Sequence, residues 1–176
     1  MEQSAMSQGP ESIYQLLDQK KRGKSLSKED FHWFIQAIME QKIADYQISA
    51  LLMAMFIHTL DPEETAYLTD AMLYSGKTLK FADPAVVDKH STGGIGDKTS
   101  FILAPIAAAA GVKVPMIAGR GLGFTGGTVD KAESIPGFQT SLNLDDFAKQ
   151  LEKDGLVLIG QTSEIAPADK VLYGLR

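Results

Sequence analysis

Apolar positions between Glu11 and Gly76 repeat with a helical period. Ile13, Leu16 and Leu17 make a short stripe that Gly23 should end. Ser27, with Asp30 three residues later, reads as a capping-box-like start. Phe31, Phe34, Ile35, Ile38 and Met39 then fall at i, i+3, i+4, i+7 and i+8, the signature of an amphipathic helix. Ile48–Leu60 is the most apolar stretch. It is interrupted by Ser49, His58 and Thr59, is too short to span a bilayer, and reads as a buried core helix. Asp61-Pro62-Glu63-Glu64 is a strong helix start, with a carboxylate at the N-cap, proline at N1 and acids in the first turn. The helix it opens should carry Leu68 and Met72 inward and end at Gly76. Residues 11–76 are therefore expected to form a small all-helical bundle.

The pattern changes near Lys77–Pro84. Short β-branched runs then alternate with helical ones: strands at Ala85–Asp88, Val112–Ala118 and Leu156–Gly160, helices at Ser100–Ala110 and Leu144–Asp154, and another helix following the glycine-rich loop at 119–130. Such alternation predicts a parallel α/β sheet with right-handed crossovers. Ala107–Ala110 should pack closely on the sheet, with Gly111 as the stop. Ala166-Pro167-Ala168-Asp169 starts a last helix. Three strands are few beside a usual sheet of about five or six. The expected class is α/β: a small all-helical bundle domain (11–76), part of a parallel α/β sheet domain (81–160), and a return to the helical domain (161–176).

The candidate chemistry lies in two glycine-rich loops, each after a predicted strand. The first, KHSTGGIGDK at 89–98, carries Lys89, His90, Ser91, Thr92, Gly93, Gly94 and Gly96, and runs into Thr99 and Ser100. Strand, glycine loop and helix together suit a phosphate: freed backbone N–H groups, a helix N-terminus and one lysine charge. The plain alternative is an ordinary βα turn. The second, GRGLGFTGGTVD at 119–130, should face the first and bring Thr128 to the same anion. Arg120 reads as a structural ion pair with Asp130 or Glu133. His32 is expected to be half-exposed, His58 a hydrogen-bonded core histidine, and Met53 and Met55 core packing.

Composition narrows the classes. The chain is 44% hydrophobic and 22% charged, with a formal net charge of -5, so any phosphate site is a local positive spot and no nucleic-acid footprint is present. It has no Cys and 3 His, none spaced as a metal pair, which argues against a thiolate or zinc site. The polar N-terminus shows no secretory h-region and no membrane span is expected; a cytoplasmic protein fits.

With both loops in hand, the chain resembles the pyrimidine nucleoside/thymidine phosphorylase family. KHSTGGIGDK resembles the family's phosphate loop, and GRGLGFTGGTVDKAESIPGF its signature segment. IGQTSEIAPADKVLYGLR resembles the run that leads to a base-binding arginine. The resemblance starts near Ile13 and covers the N-terminal portion of a much longer family plan. It implies a helical domain and an α/β domain either side of a cleft, and a homodimer joined through the helical domain. It also implies reversible phosphorolysis of a pyrimidine nucleoside to free base and pentose 1-phosphate, with inorganic phosphate as co-substrate. By the same resemblance Lys89, Ser91, Ser100 and Thr128 hold phosphate. His90 stands between phosphate and pyrimidine as the catalytic histidine, and Arg176 contacts the base. A potassium ion would take backbone carbonyls from Gly96 and Lys98.

Two departures bear on this. Ala118 stands where the family usually has Ser, which removes one phosphate hydroxyl, and Phe124 where it usually has His. With the family's downstream segments not among these residues, this chain alone is expected to be a poor phosphorylase or none. Two other readings stay open: an anthranilate-type phosphoribosyltransferase relative, or a non-catalytic helical dimerisation module.

Overall fold

The computed structural model describes residues 10, 12–89, 97–121 and 125–175. In chain order the first elements are α1 (Ile13–Lys21), α2 (Lys28–Met39), α3 (Asp45–His58) and α4 (Pro62–Leu73). Then come α5 (Ser100–Ala109), β1 (Val114–Ala118), α6 (Thr128–Glu133), α7 (Leu144–Asp154), β2 (Leu156–Gly160) and α8 (Pro167–Leu175). They divide into two compact units: the described residues up to Thr78 with those from Thr162 onward, and Leu79–Gln161.

The helical unit is built on the stripes visible in the sequence. Leu16, Phe31, Phe34, Ile48 and Leu51 are at most 2% exposed and form one core, which α8 completes with Ala168 and Leu172. Both predicted caps form. Ser27 Oγ accepts from Asp30 N while Asp30 returns the bond to Ser27 N, and Asp61 accepts from Glu64 N with Pro62 at the first helical position. The segment before α8 closes tightly on the end of α4. A Cβ on Gly76 would meet the Glu164 carbonyl oxygen at 2.3 Å and Pro167 Cδ at 2.5 Å, so only glycine fits there.

One ion pair lies inside this core. Lys20 and Glu64 are each 2% exposed, and Lys20 Nζ donates to both Glu64 oxygens at 2.8 Å. Glu64 also accepts from Leu26 N at 2.9 Å and Asp61 N at 3.1 Å. A single carboxylate thus joins α1, the α1–α2 loop and the start of α4.

The reading of Ile48–Leu60 as a buried helix needs correction. α3 buries one face, with Ile48, Leu51, Ala54 and Met55, while Tyr46, Met53, Phe56 and Ile57 are 57% to 81% exposed. An all-round apolar sequence does not by itself bury a helix with neighbours on one side only. Met53 is therefore not core packing. His58 is likewise exposed, resting over Gly23 rather than in the core.

In the α/β unit, β1 and β2 pair in parallel, Val114 opposite Leu156 through Ala118 opposite Gly160. Alternate residues leave opposite faces, as the pleat requires. Val114, Met116 and Leu158 meet Ala104 of α5 and Ala132 of α6, whereas Val157 and Ile159 meet Phe147 and Leu151 of α7. Each face is covered by helix, the layering that βα alternation predicts. The expected strand Ala85–Asp88 shrinks to one parallel bridge, Val86 to Lys113. Local bonds compete with the ladder there: Asp83 caps Ala85 N through its side chain and accepts from Val86 N through its carbonyl.

Candidate functional site

The site is set at the first turns of two helices. Ser100 is the first residue of α5 and Thr128 the first of α6, and both are buried. Lys89 follows the Val86 bridge. All three side chains converge on Asp97. Lys89 Nζ donates to Asp97 Oδ1 at 2.8 Å, Ser100 Oγ to Oδ2 at 2.6 Å, and Thr128 Oγ1 to Oδ2 at 2.8 Å. Thr99 Oγ1 adds a bond to Oδ1 at 3.1 Å. Burial pushes the Asp97 carboxyl up, but the bonds from Lys89, Ser100 and Thr128 outweigh it and hold the group well below the usual carboxylate range. Asp97 therefore remains an anion across the neutral range. The stability it lends is present above the ordinary carboxylate range and lost only as pH falls through its depressed value.

Of the residues expected to hold phosphate, Lys89, Ser100 and Thr128 are thus brought together around one negative group. Ser91, His90, Gly96 and Arg176 lie outside the described residues, as does Phe124. Lys98 is exposed beside the cluster. Ala118 is buried at the end of β1. Asp97 was missed by sequence reasoning. The available signal was a lone acid within a run of lysine, hydroxyls and glycines, three residues before Ser100.

The second loop is shaped by its own backbone. A Cβ on Gly127 would lie 2.3 Å from the Arg120 carbonyl carbon, and one on Gly121 would lie 2.4 Å from the Thr125 carbonyl oxygen. Asp130 gathers the turn, accepting from Gly127 N at 2.8 Å and Gly121 N at 2.6 Å. Arg120 is tied to Glu133 at 2.7 and 2.8 Å and to Asp130 at 3.0 Å, as read from the sequence. Glu133, then Asp130, hold its guanidinium firmly protonated. The glycines and the arginine fix the loop, and Thr128 is what the loop presents to Asp97.

Family models match both parts of the chain: residues 14–76 match the helical bundle domain of a glycosyl transferase family, and residues 83–176 its a/b domain. The chain belongs to this glycosyl transferase family. Its relatives include the pyrimidine-nucleoside phosphorylase of Geobacillus stearothermophilus, 45% identical over 163 residues that cover 92% of this chain and 38% of that protein. The thymidine phosphorylase of Homo sapiens is 44% identical over 170 residues, 95% of this chain and 35% of that protein. The chain thus spans little more than a third of the length of these curated relatives. The fold is shared with anthranilate phosphoribosyltransferase from Thermus thermophilus, at TM-score 0.70 and 21% identity over 92% of this chain and 49% of that one. Among the described residues, no helix is long and apolar enough to cross a membrane.

Proposed function

We propose that this chain carries the phosphate-binding machinery of a pyrimidine nucleoside phosphorylase. The reaction is reversible phosphorolysis: phosphate attacks the anomeric carbon, the C–N bond to the base breaks, and pentose 1-phosphate and free base result. The observation that carries this reading is the convergence of Lys89, Ser100 and Thr128 on one carboxylate, a donor set already arranged around an anion. Relatives near 45% identity named as pyrimidine-nucleoside phosphorylases favour phosphate, rather than a diphosphate ester, as the anion. Fixed donors of this kind position the nucleophile and screen its charge as the base departs. Within this reading Ser91 adds a donor, His90 stands between phosphate and base, and Arg176 holds the pyrimidine.

Calorimetry tests it. Inorganic phosphate should bind one per chain, and more tightly than diphosphate. No heat with phosphate, or a preference for diphosphate, would reject the reading.

We further propose that the partner is a second copy, engaged through the outer face of α3. Tyr46, Met53 and Ile57 share one stripe of that helix, with Phe56 beside it at 81% exposure. Apolar side chains grouped in this way mark an association surface. Sedimentation at tens of micromolar (about the range in which a standard-sized interface holds) should give a dimer that Phe56→Asp converts to monomer. A parent that sediments as a monomer would remove this proposal.

A further inference from the structure

Asp97 raises a problem of proton supply at the site just described. Ser100 Oγ and Thr128 Oγ1 each own one hydroxyl proton, and both protons are committed to Asp97 Oδ2. Lys89 directs one of its N–H bonds at Oδ1. Phosphate binds chiefly through its acceptor oxygens and draws on the same donors. Turning them toward it leaves Asp97, whose side chain is only 11% exposed, with the Thr99 hydroxyl in place of four donors, and sets two anions side by side.

We propose that Asp97 is an internal competitor for the anion: its carboxylate holds Lys89, Ser100 and Thr128, and must release them when phosphate binds. This rests on the phosphate reading above and adds a regulator to that site. The affinity for phosphate is then the difference between two anions' hold on one donor set. Asp97 keeps the donors aligned between turnovers, and it keeps the affinity low enough for phosphate or a phosphate ester to leave. Burial of Asp97 beside its lysine makes the exchange strict, since the carboxylate has little solvent to fall back on.

Asp97→Asn removes the negative charge and keeps the shape. It frees Lys89 for the incoming anion, and inorganic phosphate should bind about tenfold or more tightly than to the parent, as expected for gaining one charge-assisted bond and losing one close like-charge contact. Lys89→Ala should weaken phosphate binding in both backgrounds. If Asp97→Asn binds phosphate equally or more weakly while Lys89→Ala still weakens the parent, the internal competitor is wrong and the phosphate reading stands. If neither the parent nor Asp97→Asn binds phosphate, or if Lys89→Ala changes nothing, both fall. Should Asp97→Asn fail to fold, the parent alone decides. The carboxyl carbon resonance of Asp97, followed in labelled protein, should move as phosphate saturates, and a resonance that stays in place overturns the proposal.

Discussion

Replacing Glu64 with alanine should destabilise the helical unit by about 3–5 kcal/mol, the usual cost of stripping one partner from a buried ion pair. The size follows from what is left behind. Lys20 is 2% exposed and would be left buried without the carboxylate it donates to, and the N–H groups of Leu26 and Asp61 would lose their acceptor. Against a total stability of about 5–15 kcal/mol for a typical domain, such a loss is large. Urea denaturation followed by circular dichroism should show it as a lower midpoint. Lys20→Met with Glu64→Leu should recover part of the loss, because the orphaned charge is gone. Recovery should be incomplete, since the two backbone donors stay unmet. A Glu64→Ala cost below about 1 kcal/mol would mean that the pair holds nothing together.

The second large effect is expected at Lys89. Among the described residues its ammonium is the one full positive charge bonded to Asp97, and its side chain is 27% exposed, so solvent screens it only in part. Hydrogen bonds to a charged group contribute about 1.5–3 kcal/mol, which corresponds to roughly ten- to hundredfold in phosphate affinity. Lys89→Ala should lose that much by calorimetry. Lys98→Ala, an exposed lysine in the same loop, should change affinity by less than about threefold, as surface charges do. Equal losses from the two would reduce the site to general positive charge.

Much of the fold could be read from the chain because local chemistry and burial agree there. Ser27 with Asp30, and Asp61 with Pro62, set helix starts that the backbone obeys. Leu144–Asp154 has a clean apolar stripe, with Phe147 and Leu151 buried, and Gly155 at φ 68° ends it. Other features escaped because they depend on what stands opposite. Val86 and Val87 favour strand, yet turn bonds from Asp83 leave a single bridge. α3 is apolar on every side, and nothing along its sequence tells a face that meets α1 from a face that meets solvent. Lys20 falls on the stripe of Ile13 and Leu16, a hint of burial that its charge concealed; Glu64 looked like a first-turn acid and is also the lysine's partner.

At the site, the hydroxyls and lysine were legible by type, because an anion needs donors and the loops supply them. The carboxylate that gathers them was not. A sequence gives no distance between Asp97 and Thr128, which lie 31 positions apart and meet only in the folded unit.

The most direct measurement is a crystal structure of this chain grown in saturating inorganic phosphate. The account predicts a tetrahedral anion within hydrogen-bond distance of Lys89 Nζ, Ser100 Oγ and Thr128 Oγ1, with the Asp97 carboxylate displaced from them. Phosphate bound elsewhere, with all three donors still on Asp97, would contradict it.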